Sequence, residues 1–214
     1  MKIVDYRSVA EDSINKINKG AFLTVKSGTA LNTMTIGWAT FGVIWSKPIM
    51  MVAVRSSRHT FGIIEAAKDF TVTVPAVDMH KEIAYCGSKS GLNVDKFKMC
   101  KLETTDGRQV ASPIIKTQGR HYECKIIYKS AMNPAHLDKD YDSSLYPQKD
   151  YHTLYFGEIL ACYETDWSSN VLNLFMQESQ SIVYPIIHLH YQKKDGQGRN
   201  NKSWSIHEYQ YQFL

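Results

Sequence analysis

Hydrophobic positions in the first half of the chain recur with period two or form short unbroken runs, and both patterns are typical of strands. AFLTVK, which begins at Ala21, predicts a strand that ends in a Ser-Gly turn. IMMVAVR, which follows Pro48, is almost continuously apolar and predicts a strand covered on both faces. FTVTVP alternates with period two and ends at Pro75. The first half is therefore predicted to be mainly β.

The stretch LNTMTIGWATFGVIWSKP, from Leu31, predicts one long strand or two short ones. With period two, neither of its sides is polar, so both sides are expected to be covered. Gly37 and Ala39 leave a shallow trough, where another group can approach the backbone closely. A neighbouring helix, a second subunit or a ligand would each fit this trough.

Helices are predicted at about residues 60–68 and from Asp78, as N-cap, to Gly87. Further strands are predicted for YECKIIYKSAM, HTLYFGEILACYET and IIHLHYQKK in the second half. The polar connection over residues 133–151 is long enough to cover a site or an interface. Many strands, few helices and no evident linker predict one domain over residues 1–214, a mainly β closed barrel with short helical insertions.

Composition narrows the classes of function. The chain is 43% hydrophobic and 21% charged, as in globular proteins, and its net charge of +4 favours a phosphate-bearing small molecule. No cluster of Lys and Arg is dense enough to track a nucleic acid, and no apolar run approaches the roughly 20 residues of a membrane span. The first residues do not resemble a secretory leader, and the four cysteines show no metal-ligand spacing. We therefore expect a cytoplasmic protein with reduced thiols and without a bound metal.

Two polar segments could bind an anion. VRSSRHTF places Arg55, Arg58 and several hydroxyl groups between a buried strand and a helix N-terminus, where backbone N–H groups and the helix dipole favour phosphate. Alternatively, Ser57 or Thr60 caps the helix and the arginines are solvated. YCGSKSGLNVDKF could form a second polar clamp in which Lys89 and Lys96 supply charge, or it could be an ordinary surface loop.

In this order and at these distances, NTMTIGWATFGVIWSKP, VAVRSSRHTFGIIE with FTVTVP, and YCGSKSGLNVDKF resemble the flavin reductase-like family, which includes flavoredoxins. HTLYFGEI is similar to the family's closing strand, so the resemblance covers roughly residues 20–164. It implies an FMN-binding split β-barrel of the Greek-key type, usually a homodimer with the flavin near the subunit interface. No motif is recognised after Asp166.

The resemblance also implies roles for individual residues. One set would run along the isoalloxazine ring and ribityl chain: Asn32, Thr33, Met34 and Thr35. A second set would surround the phosphate: Arg55, Ser57, Arg58, His59 and Thr60. A third set would lie near the ring or the phosphate: Cys86, Ser88, Ser90 and Gly91.

By this resemblance the protein would be an oxidoreductase that accepts hydride from NADH or NADPH onto FMN and passes electrons to an unidentified acceptor. It would act as a flavin reductase or a flavoredoxin, which differ in whether the flavin leaves. FMN carries the redox chemistry, so no catalytic side chain is expected. No GxGxxG follows a strand, so the nicotinamide is expected over the flavin face.

Three other interpretations stay open. The protein could be a non-catalytic flavin carrier or binding protein of the same fold. His188 and His190, in HLHY, could form half of a metal site or lie on a solvated edge strand. Cys86 could be a redox thiol or a buried structural residue, and the sequence places no resolving cysteine close to it.

Overall fold

The computed structural model describes residues 1–166, which form a large antiparallel sheet with short helices. The strands are β1 (Lys2–Ile3), β2 (Ala21–Ser27), β3 (Ala30–Ile36), β4 (Ala39–Ile44), β5 (Lys47–Arg55), β6 (Asp69–Pro75), β7 (Thr104–Thr105), β8 (Ile114–Ile115), β9 (Gly119–Ala131) and β10 (His152–Thr165). The helices are α1 (Tyr6–Ile17), α2 (His59–Ala66), α3 (His80–Ser88), α4 (Lys96–Met99) and α5 (Lys139–Leu145), with a 3₁₀ turn at Pro134–His136.

Seven strands of the main sheet follow the order β3-β2-β6-β9-β10-β5-β4, and β1 pairs with β10. The two strands at the ends of this order are consecutive in the chain, since only Gly37 and Trp38 separate β3 from β4. Within residues 1–166, no backbone ladder joins β3 directly to β4. The stretch from Leu31 is thus two strands, each paired with a different neighbour.

The core lies between the faces of this sheet and helices α1 and α2. Residues 21–25 of β2 are all buried, and β5 is buried on both faces from Ile49 onward except at half-buried Met51 and Arg55, which confirms the prediction for its apolar run. Helix α1 contributes Ile17 to the core, and its Ser13 hydroxyl is hydrogen-bonded to the Tyr122 hydroxyl at 2.6 Å. Helix α1 is not among the elements predicted from the sequence.

The prediction that both sides of the Leu31 stretch are covered is wrong for β4. Val43 is 68% exposed and Trp45 is 58% exposed, because β4 pairs only with β5 at the end of the sheet order. Trp45 and Ser46 both have positive φ angles, 54° and 56°, which is the conformation of a tight two-residue hairpin turn. The turn carries the Trp45 side chain to the surface.

The predicted helices are present with shifted ends. Helix α2 begins and ends slightly earlier than predicted, and α3 has Met79 as its N-cap in place of the predicted Asp78. The Asp78 carboxylate nevertheless accepts a hydrogen bond from the His80 N–H at 3.0 Å, so it still satisfies a free donor of the first turn. The connection over residues 133–151 contains α5 and the 3₁₀ turn and is therefore partly helical. The predicted strand IIHLHYQKK, with His188 and His190, lies outside the described residues.

Two observations bear on broader predictions. In the part of the chain that the structure describes, no helix is long and apolar enough to cross a membrane. All four cysteines carry free thiols. That residues 1–214 form one domain stays a prediction.

Candidate functional site

A cleft opens where β3, the start of α2 and the segment from α3 to α4 meet. All three segments that carried the sequence prediction contribute to its lining: Met34, Ser57, Arg58, His59, Thr60, Cys86, Gly87, Ser88, Lys89, Ser90, Gly91 and Lys96. None of these twelve side chains is acidic, and three are Lys or Arg.

The N-terminus of α2 forms one wall of the cleft. Arg58 is its N-cap, no side chain caps it, and its first turn contains no acidic residue. Neither Ser57 nor Thr60 therefore caps the helix, and no side chain caps its first N–H groups. The Arg58 guanidinium donates to the Gly87 carbonyl at 2.9 Å, which ties α2 to α3. This wall has the charge and the donors that favour an anion.

Lys96 supplies a buried positive charge to the lining. Lys96 is 4% exposed, and its ammonium donates to the carbonyls of Thr33 at 3.0 Å and Cys86 at 2.8 Å. Within residues 1–166 it forms no salt bridge with a carboxylate. Burial lowers the pKa of Lys96, and the nearby Arg58 guanidinium lowers it further. A buried ammonium without a counter-ion is costly, so this part of the lining is complementary to a negatively charged ligand.

Of the four β3 residues predicted to line the flavin, only Met34 borders the cleft. The Asn32 amide donates to the Thr60 hydroxyl at 2.8 Å and supports α2 from behind. The Thr33 hydroxyl donates to the Leu23 carbonyl of β2, and the Thr35 hydroxyl donates to the Ile83 carbonyl of α3. Asn32, Thr33 and Thr35 thus hold neighbouring elements in place.

Arg55 also does not border the cleft. Its guanidinium donates to the Asp150 carboxylate at 2.6 Å and to the Leu145 carbonyl at 3.0 Å, and it lies 5.0 Å from the centre of the Tyr146 ring. The Arg55 guanidinium is therefore bound by the long connection before β10. By contrast, Ser57, Arg58, His59 and Thr60 lie in the lining.

The third segment lines the cleft with Cys86 and Ser88, which lie in α3, and with Ser90 and Gly91, which follow it. Gly91 lies against Asn32, and a Cβ atom added at Gly91 would clash with the Asn32 amide group. Burial raises the pKa of the Cys86 thiol to about 12, so the thiol is protonated at neutral pH. Cys100, distant in sequence, packs beside Cys86, so a second cysteine does lie close to it.

Lys96, which was expected only to supply charge to a polar clamp, is a buried member of the lining, and an aromatic group that was not predicted lies near Arg55. The signal for Lys96 was its position between the half-buried Val94 and Phe97, directly after the α4 N-cap Asp95. In the aromatic group, the Trp38 ring is 4.6 Å from the His152 ring, and the His152 Nδ1 is hydrogen-bonded to the Tyr146 hydroxyl at 2.7 Å. No sequence signal joins these three residues.

Positive charges at and near the cleft also act on His152. Burial lowers its pKa to about 4, and the positive charges of Arg55 and Arg58 contribute to this shift. The imidazole is therefore neutral at neutral pH. Within residues 1–166, no group of three or more His, Cys, Asp or Glu side chains is arranged to hold a metal ion.

Comparison with known proteins identifies a family and a fold. The family model described as "Flavin reductase like domain" matches residues 18–182. An uncharacterised protein of Archaeoglobus fulgidus is 27% identical over 139 residues, which are 65% of this chain and 68% of that protein.

Solved structures are similar as well. A flavoredoxin from Methanosarcina acetivorans is 26% identical with a TM-score of 0.55, covering 69% of this chain and 68% of its own. An NADH:FAD oxidoreductase of Streptomyces globisporus, solved with NAD and FAD fragments, is 19% identical with a TM-score of 0.53 over 77% of this chain and 87% of its own. At this lower identity the likeness concerns the fold alone.

Proposed function

The chain belongs to the flavin reductase-like domain family, and from this premise we propose that it binds FMN in the cleft and acts as an oxidoreductase. The single observation that carries the proposal is the buried Lys96 ammonium, which faces a cleft with Arg58 and an uncapped helix N-terminus but without any acidic lining residue. Such a site is complementary to a phosphate group, and FMN carries one at the end of its ribityl chain.

The residues that would hold the phosphate end are Arg58, Thr60 and Lys96, with the first N–H groups of α2. Arginine offers a planar fork of donors for phosphate oxygens, and lysine offers a compact charge. Two of the three N–H donors of Lys96 are used by the Thr33 and Cys86 carbonyls, which leaves one donor for a ligand. Met34 supplies an apolar lining atom on the β3 side, and Ser57, His59, Ser88 and Ser90 supply polar ones.

When bound, FMN would accept hydride from NADH or NADPH and pass electrons to an acceptor. The protein would position the cofactor and set the electrostatics of the site. The chain's own groups suit this division. The protonated Cys86 thiol and the neutral His152 imidazole add no negative charge that would compete with phosphate. The likeness to the solved flavoredoxin supports the choice of reaction class.

We further propose that the sheet forms a closed split barrel and that the protein is a homodimer in the cytoplasm. The strand order supports closure. Strands β3 and β4 are the two ends of this order, and Gly37 and Trp38 join them in the chain. The closing link would then be the backbone itself. The exposed apolar side chains of the β4–β5 turn support a second copy as their cover.

The experiment is an absorption spectrum of the purified protein, followed by release and identification of any flavin and by titration with FMN. A yellow protein that releases FMN, or a colourless one that binds added FMN, supports the proposal; the second result indicates that the flavin is exchanged. Failure to bind FMN would overturn it. Oxidation of NADH or NADPH by the FMN-loaded protein then separates an enzyme from a non-catalytic flavin carrier.

A further inference from the structure

The connection over residues 132–151, between β9 and β10, folds back onto the strand that leads into the cleft. Its two ends lie beside each other, since the Met132 N–H donates to the His152 carbonyl at 3.0 Å. Its last turn contacts Arg55 through three groups: the Leu145 carbonyl, the Tyr146 ring and the Asp150 carboxylate. Arg55 is the final residue of β5, two positions before Ser57 in the cleft lining.

Asp150 links this connection to the cleft itself. One carboxylate oxygen accepts from the Arg55 guanidinium at 2.6 Å, and the other accepts from the Ser57 hydroxyl at 3.3 Å. The side chains of Arg55 and Asp150 are each 24% exposed, so the pair is shielded only in part from solvent. The Asp150 carboxylate thus pairs with a cation and accepts a hydrogen bond from a hydroxyl group at the edge of the cleft. The cleft lining itself contains no acidic residue.

The charges around the cleft show what this contact does. Arg58, Lys89 and Lys96 in the lining are positive, and Arg55 would add a fourth charge close to them. Asp150 neutralises Arg55 and places a negative charge beside Ser57. A phosphate that enters would be repelled by this carboxylate and would find the Ser57 hydroxyl already engaged.

We propose that Asp150 is an internal counter-ion that lowers the affinity of the cleft for phosphate-bearing ligands. The inference rests on the proposed function, because it specifies how tightly the proposed FMN site holds its ligand. It implies that FMN exchanges readily with solution. Asp150 contacts Arg55 and the Ser57 hydroxyl, and it acts through these two groups as a positioning residue.

The test compares Asp150→Asn with Asp142→Asn by titration of each protein with FMN and with riboflavin, which lacks the phosphate. Asp142 is the matched control, because it lies in the same connection and binds Lys149 and Tyr151. We expect Asp150→Asn to bind FMN roughly tenfold more tightly, with riboflavin affinity unchanged, because only the phosphate senses the lost charge. Asp142→Asn should match the wild type for both ligands.

A purely structural role for Asp150 predicts a different result. Asp150→Asn would then weaken FMN and riboflavin binding together, and this outcome, or an unchanged FMN affinity, would overturn the inference. The partial exposure of Arg55 lets water solvate it in the variant, so the fold is expected to persist. Asp150→Ser provides the same comparison should the asparagine variant fail to fold.

Failure of the proposed function gives a separate signature. A wild-type protein that binds neither flavin would refute FMN binding but would still allow the counter-ion to be tested with inorganic phosphate. The readout is the shift of the thermal unfolding midpoint on addition of phosphate. A larger shift for Asp150→Asn than for Asp142→Asn supports the counter-ion, and equal shifts contradict it.

Discussion

Burial of Lys96 costs free energy, and this cost is linked to its proposed role in binding phosphate. An ammonium removed from water without a carboxylate partner is unfavourable, and the lowered pKa of Lys96 reports that cost. The two carbonyls that accept from it offset the cost only in part, because they carry partial charge. A bound phosphate would provide the missing counter-charge and would raise the pKa of Lys96 again.

We predict that Lys96→Met weakens FMN binding by about 10- to 100-fold, the range that corresponds to the loss of one charge-assisted hydrogen bond of about 1.5–3 kcal/mol. Lys98→Met is the matched control, because Lys98 is in the same short helix and is exposed. Fluorescence titration with FMN measures both variants. Equal affinities would remove Lys96 from the phosphate site.

The residues of β3 show why a motif does not by itself identify contacts. Asn32, Thr33, Met34 and Thr35 share one polar stretch, yet only Met34 borders the cleft. Successive side chains of a strand point to opposite faces, and the pairing of β3 with β2 decides which face meets the helices. The partner residues of this pairing belong to β2 and lie outside the motif.

At the scale of elements, the start of α2 concentrates several features that favour an anion. Arg58 ends the strand-to-helix turn, the first turn contains no acid, and no side chain occupies its N–H groups. The same Arg58 holds the Gly87 carbonyl, so it both faces the cleft and joins two of its walls. This element was predicted from sequence because a turn, an arginine and a helix start are all local.

We expect Arg58→Ala to lower FMN affinity by about 10- to 100-fold through the loss of a charge-assisted contact with phosphate. Arg7→Ala is a suitable control, since Arg7 pairs with Asp5 at the exposed start of α1. Arg120 would be a poor control, because it binds both Asp12 and Glu164 and supports the fold. FMN affinity that is identical in the Arg58 and Arg7 variants would contradict the assignment.

The loop after α3 depends on the absence of a side chain at Gly91. An added Cβ would clash with the Asn32 amide, which supports Thr60 at the start of α2. Gly91→Ala should therefore lower the free energy of unfolding by about 1–3 kcal/mol and weaken FMN binding. Gly62→Ala, with open space around it, should instead leave FMN affinity unchanged and raise stability by up to about 1 kcal/mol. Urea unfolding and FMN titration measure the two effects.

At the scale of the whole molecule, an exposed apolar surface surrounds the β4–β5 turn. It comprises Val43, Ile44, Trp45 and Tyr128, and the Trp45 and Tyr128 rings lie 5.8 Å apart. Exposed apolar residues that cluster in this way mark interaction surfaces more often than isolated ones do. The proposed homodimer would bury them.

A substitution in this surface tests the dimer. Trp45→Glu should shift the protein from dimer to monomer, because it places a charge within an apolar contact. Val77→Glu, at an exposed position between β6 and α3, is the control. Sedimentation equilibrium reports the masses. A wild-type protein that is monomeric at all accessible concentrations would refute the dimer.

The stability of the molecule should also depend on pH through two buried histidines. Burial lowers the pKa of both His121 and His152 to about 4 from the usual value of 6.5. Between pH 6.5 and 4 the unfolded chain therefore binds more protons than the folded one, so stability falls as the pH falls through this window. Each histidine contributes a slope of up to about 1.4 kcal/mol per pH unit.

Urea unfolding at intervals across this pH window measures the slope. His152→Gln should make the slope shallower, because one of the two neutral imidazoles is removed. His121, hydrogen-bonded to the hydroxyls of Thr73 and Thr165, should account for the remainder. A free energy of unfolding that does not change between pH 6.5 and 4 would contradict the prediction.

The sequence by itself determined the elements whose signals are local. The apolar run of β5, the alternation of β6 and the turn before α2 each predicted their structure, because hydrophobic period and turn chemistry act over a few residues. The family resemblance, carried by short motifs at fixed spacing, predicted that Arg58 and the Ser90–Gly91 loop belong to one site, and both line the same cleft.

Only the tertiary structure decided which of these residues face the cleft. Lys96 reaches it because α4 packs against β3, and Arg55 is withdrawn from it because the connection before β10 folds back with Asp150. Trp38, Tyr146 and His152 meet although about a hundred residues separate the first from the others. Such contacts depend on strand order and register, which are set by the packing of the whole sheet and leave no local pattern in the sequence.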